Sequence, residues 1–126
     1  MATTLPQELT IAQAADAVGV SAHTIRYYER AGLLTPIDRN GSGHRRFTED
    51  DIAWLVTCTR LRATGMPIRR IREYADLIVA GDGNEARRLE ILEAHRREVI
   101  ERMREIEHNL EAIDRKIELY RARTCS

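Results

Sequence analysis

A row of apolar side chains in the last third of the chain limits the fold more than any other part of the sequence. The row follows alternating spacings of three and four residues, with Arg96 its polar interruption, and consists of Leu92, Val99, Met103, Ile106, Leu110, Ile113, Ile117 and Tyr120. This is the heptad pattern of a coiled coil. It spans about four heptads, roughly 40 Å of helix, and a helix of that length cannot bury such a row within its own chain. We therefore predict a homodimer that pairs through a helix over residues 84–122.

The charges along this helix leave the direction of pairing open. The charges beside the row fit a parallel zipper about as well as an antiparallel one. They are the acidic residues Glu93, Glu107 and Asp114 and the basic residues Arg102 and Lys116. From residue 82 onward, ten basic and eleven acidic side chains occur in mixed order, which is typical of a solvated helix.

Two short helices are predicted near the N-terminus. Thr10 can cap a helix through "IAQAADAVG", and Gly19 ends it. Ser21 can cap a second helix at about residues 22–31, which breaks at Gly32. Two short helices joined by a tight turn form a helix-turn-helix, whose second helix enters the major groove of DNA.

The second helix carries the candidate DNA contacts. They lie on its first two turns and are Ser21, His23, Thr24, Arg26, Tyr27 and Tyr28. Arg26 can bind a guanine edge or a phosphate, and the tyrosine hydroxyls can reach phosphates. Because adjacent helical residues point about 100° apart, an alternative is that one tyrosine ring packs into the core.

The segment "TPIDRNGSGHRRF" predicts a hairpin beside that helix, a wing whose return strand carries His44, Arg45 and Arg46. A solvent-exposed hairpin without a partner is the alternative. The formal net charge of the chain is zero, yet residues 21–47 hold five arginines against two acids, so a basic patch lies in the first half.

A second helix pair follows the wing. Thr48 with Asp51 resembles a capping box for a helix ending near Thr64, and Pro67 suits the first turn of the next helix, which breaks at "AGDGN". Five arginines crowd this pair, which makes a second contact with the DNA backbone a reasonable hypothesis: Arg60, Arg62, Arg69, Arg70 and Arg72.

These segments together resemble the MerR family of transcriptional regulators. The resemblance rests on "TIAQAADAVGVS", "TIRYYERAGLL", "NGSGHRRF", "TEDDIAWL" and "RATGMPIRRI", and it covers about residues 8–80, with the long helix also matching the family's layout. It implies a mainly α fold, in which a winged helix-turn-helix DNA-binding domain precedes a dimerisation helix that pairs as an antiparallel coiled coil.

The resemblance also implies a function. A dimer would bind a palindromic promoter with widely spaced elements and twist and bend it so that RNA polymerase can use it. Arg26 matches the family's recognition-helix arginine, Tyr27 and Tyr28 its phosphate-contacting aromatics, and His44 and Arg45 its wing-tip contacts. We expect no cofactor and a cytoplasmic location, because no apolar run approaches the ~20 residues that cross a bilayer.

The effector is suggested by likeness to the short, thiol- or aldehyde-responsive AdhR/NmlR-like branch, where one cysteine after the wing reacts with electrophiles. That cysteine aligns with Arg60 here, two residues after Cys58, our candidate thiol sensor. The alternative is that Cys58 packs on an apolar row with Ile52, Leu55 and Leu61 as a buried hydrophobe. Cys125 is predicted to be the more accessible thiol. No metal site is expected, because a thiolate cage would lack ligands.

Two other classes of function remain for comparison. An architectural DNA-bending or excisionase-like protein would need the winged domain but not the long coil. An enzyme would need a convergent polar site, whereas the histidines fall on separate elements predicted to be exposed: His23, His44, His95 and His108. We predict that the chain is not an enzyme.

Overall fold

The computed structural model describes residues 8–34 and 46–125. Within these ranges the chain forms five helices: α1 Ile11–Val18, α2 Ala22–Arg30, α3 Glu49–Ala63, α4 Ile68–Ala80 and α5 Glu85–Thr124. The prediction of a mainly α fold is confirmed. By its internal contacts the chain divides into two compact units, Met1–Glu85 and Ala86–Ser126.

Helix α1 begins and ends where its capping residues predict. The Thr10 hydroxyl accepts a hydrogen bond from the Gln13 amide at 3.2 Å, and the Gln13 side chain accepts one from the Thr10 amide at 2.9 Å. Gly19 ends the helix with a φ of 84°, a left-handed conformation that glycine adopts without steric cost. Thus the turn of the helix-turn-helix is fixed by local chemistry.

The core of the first unit is formed by the inner faces of the helices together with Phe47. Its largest fully buried side chains include Ile25, Leu33, Phe47, Leu55, Met66 and Ile71. Phe47 is held by an antiparallel bridge to Leu9, with the two backbone N–H···O bonds at 2.8 and 2.9 Å. Truncating a buried Ile or Leu to Ala typically costs about 2–5 kcal/mol, so each of these side chains matters to the fold.

Trp54 of α3 fixes the segment that leaves α2. Its indole Nε1 donates a hydrogen bond of 2.6 Å to the Leu33 carbonyl, 21 residues earlier in the chain. Its ring also stacks on Tyr74 of α4, with centroids 5.8 Å apart and an interplanar angle of 27°. A single aromatic side chain therefore links the end of α2 to both α3 and α4.

The turn between α3 and α4 is closed by its own residues. Gly65 has a φ of 94°, and Pro67 is the residue before the first turn of α4, one position earlier than predicted. Arg62 donates a hydrogen bond of 3.1 Å to the Met66 carbonyl, so its guanidinium stabilises the turn.

Helix α5 is 40 residues long, about 60 Å at 1.5 Å per residue. It continues past the predicted end at residue 122. Ahead of it, the Asn84 side chain donates to the Leu77 carbonyl at 2.9 Å, which ties the connecting loop to the end of α4. Among the described residues, none of the helices combines the length and the apolar character needed to span a membrane.

Candidate nucleic-acid interface

Helix α2 is positioned by the cap at its first turn. The Ser21 hydroxyl accepts a hydrogen bond from the Thr24 amide at 3.1 Å and lies 3.0 Å from the Thr24 hydroxyl. Both hydroxyls, predicted to contact DNA, are therefore also engaged with each other. A hydroxyl offers one donor and two acceptor sites, so this leaves capacity for a phosphate or base contact.

One face of α2 is exposed and carries cations and an aromatic ring. Its members follow the helical spacing i, i+3, i+4 and i+7, and they are His23, Arg26, Tyr27 and Arg30, here called the α2 stripe. None of its arginines makes a hydrogen bond or ion pair with another described residue. The opposite face holds Ile25, which is fully buried. The helix therefore presents a continuous row of hydrogen-bond donors to solvent.

The two adjacent tyrosines have different environments. Tyr27 is 43% exposed and Tyr28 only 5%, and their ring centroids lie 6.1 Å apart at a tilt of 49°. The alternative that one tyrosine ring packs into the core is therefore confirmed, with Tyr28 as the buried ring, and a phosphate contact by its hydroxyl stays a prediction. Tyr27 is the ring presented to solvent.

Arg30 was not among the predicted DNA contacts. It lies in the last turn of α2, exposed, four residues after Arg26 and on the same face. The i, i+4 spacing from Arg26 would have identified it, because residues four apart are neighbours on a helix surface.

Of the three predicted wing residues, Arg46 falls within the described part of the chain. His44 and Arg45 lie outside the described residues, as does the predicted hairpin turn. Arg46 is exposed and forms an ion pair of 2.8 Å with Glu8, which is also exposed. Such surface pairs contribute little free energy, roughly 0–1 kcal/mol, so a phosphate can displace Glu8 at small cost.

The arginines of α3 and α4 divide into different environments. Arg62 donates a hydrogen bond to the Met66 carbonyl. Arg60, Arg69 and Arg72 are exposed and make no hydrogen bond or ion pair with another described residue. Two of these three, Arg69 and Arg72, lie one turn apart on the same side of α4 and add positive charge to the unit that holds the α2 stripe.

Cys58 has the environment of a core side chain. It is fully buried on the row with Leu55, and desolvation raises the pKa of its thiol to about 12. The guanidinium groups of Arg60 and Arg62 do not offset this effect. Cys125 is exposed at the end of α5. The interpretation of Cys58 as a buried hydrophobe is confirmed.

His95 corrects one expectation. We predicted all four histidines on exposed elements, yet His95 is 5% exposed, and Ile91 one turn before it is also buried. His23 and His108 are exposed, as expected, and His44 is outside the described residues. Within residues 8–34 and 46–125, no three His, Cys, Asp or Glu side chains are grouped so that they could hold a metal ion.

The heptad row of α5 is largely uncovered. Six of its eight members have exposed fractions between 43% and 66%: Met103, Ile106, Leu110, Ile113, Ile117 and Tyr120. Leu92 and Val99, at its start, are half-buried. Exposed apolar surface of this extent is typical of an interaction site.

A helix-turn-helix whose second helix exposes a basic row defines a DNA-binding protein of the helix-turn-helix class. Two family models match the chain, one described as MerR HTH family regulatory protein over residues 9–77 and one as MerR, DNA binding over residues 52–118. The chain belongs to the MerR family of transcriptional regulators, binds DNA as these do, and is not an enzyme.

The relatives support this assignment. The chain is 34% identical over 111 residues to an HTH-type transcriptional regulator of Haemophilus influenzae, covering 88% of this chain and 82% of that protein. It is 40% identical over 93 residues to the HTH-type transcriptional regulator AdhR of Bacillus subtilis, covering 74% of this chain and 66% of AdhR. Its fold matches that of HiNmlR, a MerR family regulator lacking the sensor domain, crystallised bound to promoter DNA. That match has a TM-score of 0.82 and 33% identity, and it covers 90% of each chain.

Proposed function

We propose that this protein controls transcription by binding a palindromic promoter as a homodimer and twisting and bending it for RNA polymerase. In this proposal residues 8–80 bind DNA, residues 84–122 dimerise, and the protein acts in the cytoplasm. The observation that carries the proposal is the α2 stripe, because unpartnered cations on the exposed face of a second helix are what major-groove recognition requires. HiNmlR, similar over most of both chains, is bound to promoter DNA in its crystal structure.

Each residue of the stripe has a chemical role in the proposal. Arg26 binds a guanine edge or a phosphate through its guanidinium fork, while His23 and Thr24 lie near the start of α2, the end that meets base edges. The exposed hydroxyl of Tyr27 contacts a phosphate, and Arg30 adds a cation at the end of the helix. The wing residues Arg45 and Arg46 would bind phosphates of the adjacent DNA backbone.

Binding to DNA upstream of the gene, compared with a scrambled duplex across salt concentrations, tests the proposal by fluorescence anisotropy. Arg26→Ala should cost about 1–3 kcal/mol of operator binding free energy and relax sequence preference, because one bidentate base contact is worth that much. Arg45→Ala should weaken binding to both duplexes and flatten the salt dependence. Equal weak binding of the wild-type protein to both duplexes would favour the architectural, DNA-bending alternative over a promoter-specific regulator.

The dimer follows from the uncovered row of α5. Six large apolar side chains at heptad spacing cannot be buried by a helix on its own, and a second copy carries the same row. We propose antiparallel pairing, as the family resemblance implies. The α5 charges do not themselves select this direction.

A response to thiol-reactive or aldehyde compounds is a separate proposal, which rests on likeness to the AdhR/NmlR-like branch. The burial and raised pKa of Cys58 oppose direct attack in the folded protein, because the thiolate is the reactive species. Reaction at Cys58 would therefore require local opening of α3, whereas Cys125 is accessible. Operator binding measured before and after aldehyde treatment, with Cys58→Ser and Cys125→Ser variants, would identify which thiol carries a response.

A further inference from the structure

The side chain of Arg72 crosses from α4 to the end of the recognition helix. Gly32, two residues after α2, has a φ of 81°, and a Cβ atom placed on it would lie 3.1 Å from Nε and 3.3 Å from Cζ of Arg72. The guanidinium therefore lies against the backbone of Gly32, in space that any other residue would fill. Gly32 meets two requirements at once, the left-handed turn and the close approach of this cation.

The guanidinium of Arg72 is held there without a partner in the described part of the chain. Arg72 is exposed, and neither a carboxylate nor a carbonyl of the described residues accepts a hydrogen bond from it. A guanidinium has five N–H donors in a rigid fork that matches the oxygens of a phosphate. Arg69, one turn earlier on the same face of α4, also makes no hydrogen bond or ion pair with another described residue.

We propose that Arg72 is a contact to the DNA backbone, which brings a phosphate to the C-terminal end of α2 and thereby fixes how that helix lies in the groove. The proposal rests on DNA binding by this chain, and it selects Arg72 from the five arginines of the second helix pair and assigns it a position at the end of α2. The α2 stripe ends at Arg30, and the Arg72 guanidinium, two residues further along the chain at Gly32, adds positive charge at this end. Arg62 is a weaker candidate, because its Nη1 already donates a hydrogen bond to the Met66 carbonyl in the α3–α4 turn.

The salt dependence of DNA binding tests this assignment. Each phosphate contact that is lost reduces the slope of log K against log salt by about 0.9, and affinity at 0.1 M salt by about 8-fold for each protomer. We expect this change for Arg72→Gln on both the operator and a scrambled duplex, since a phosphate contact carries no sequence information. Arg72→Lys should keep the slope, because it keeps the charge. Arg87→Ala is the matched control: it removes an exposed arginine that is already paired with Glu90 at 3.1 Å, so the slope should not change.

A purely structural role predicts a different result. If Arg72 only tied α4 to the end of α2, Arg72→Gln would lower the midpoint of thermal unfolding and leave the salt slope at the wild-type value, and that outcome would overturn the proposal. Gly32→Ala and Gly19→Ala make a second comparison. Both glycines have φ near 80°, but a Cβ on Gly19 meets no atom within 4 Å. Both variants should be less stable than the wild type. Only Gly32→Ala should also have a smaller slope of log K against log salt, because it displaces Arg72.

Failure of the Arg72 contact can be distinguished from failure of the proposed regulator function. A wild-type protein that does not prefer its operator would contradict promoter recognition. The effect of Arg72→Gln on the slope of log K against log salt would still be measurable on the scrambled duplex. A wild-type protein that prefers its operator, with Arg72→Gln showing an unchanged slope, would reject the Arg72 contact alone.

Discussion

At the scale of single residues, Cys58 and Cys125 differ in their exposure to solvent, which is one of the properties that govern thiol reactivity. Cys58 is fully buried and its pKa is raised to about 12, whereas Cys125 is exposed. At pH 8 a thiol with that pKa is ionised to about one part in 10⁴, and the thiolate is the nucleophile. The position of Cys58 on the helix after the wing is therefore not enough to make it a sensor, because its environment suppresses the reactive form.

Alkylation with iodoacetamide followed by mass spectrometry should show this difference directly. In the native protein at pH 8 we expect Cys125 to be modified and Cys58 to remain unmodified, and in urea both should react. The Cys125→Ser variant provides the control, since its native form should take up no label. Rapid native labelling of Cys58 at a rate similar to that of Cys125 would mean that α3 opens readily, and would restore Cys58 as a candidate sensor.

At the scale of helices, the capping residues determine where each element begins. Thr48 accepts a hydrogen bond from the Asp51 amide at 3.2 Å, and the Asp51 carboxylate accepts one from the Thr48 amide at 2.9 Å. Three acidic residues in the first turn of α3 add favourable charge at its positive end. The reciprocal pair satisfies two backbone donors that the helix itself cannot.

Thr48→Ala should destabilise the protein by about 0.5–2 kcal/mol in urea unfolding, the usual cost of losing an N-cap. Thr57→Ala on the same helix is the control, because the Thr57 hydroxyl only donates to the Ala53 carbonyl at 3.2 Å. We expect that change to stay within about 0.5 kcal/mol of the wild type. Equal losses in the two variants would show that the capping box contributes nothing particular to α3.

The elements were predictable from sequence because their signals are local. The capping residues bond to backbone groups within four positions of themselves, and they are Thr10, Gly19, Ser21 and Thr48. The sequence alone therefore locates α1, α2 and α3 to within about two residues. The missed features depend on contacts distant in sequence. Neither the Arg72 side chain at Gly32, 40 residues earlier, nor the burial of His95 leaves a periodic signal. The choice of Tyr28 over Tyr27 for the core likewise depends on which face of α2 meets the other helices.

At the scale of the whole molecule, the proposed dimer depends on the α5 row. Leu110 is 51% exposed and lies near the middle of the row, so in a dimer it would be buried. Leu110→Lys would place a charge in that interface, and we expect sedimentation to show a shift from dimer toward monomer. Glu111→Lys, adjacent but off the row, should leave the dimer intact. Self-association that is the same in both variants would mean that the copies associate through another surface.

The direction of pairing can be measured through Cys125, because Cys58 is shielded from labelling reagents. The row from Leu92 to Tyr120 has its midpoint at Ile106, and Cys125 lies 19 residues beyond that point. Antiparallel helices that cross at Ile106 would hold the two Cys125 labels about 57 Å apart, at 1.5 Å per residue in each direction, whereas parallel helices would hold them within about 20 Å. Nitroxide labels read by pulsed electron paramagnetic resonance separate these distances. We expect the longer distance between the two labels. Antiparallel pairing would set the two DNA-binding units at opposite ends of the coil, where each can reach one half of a palindrome. A short distance would place both units at the same end and require a different promoter geometry.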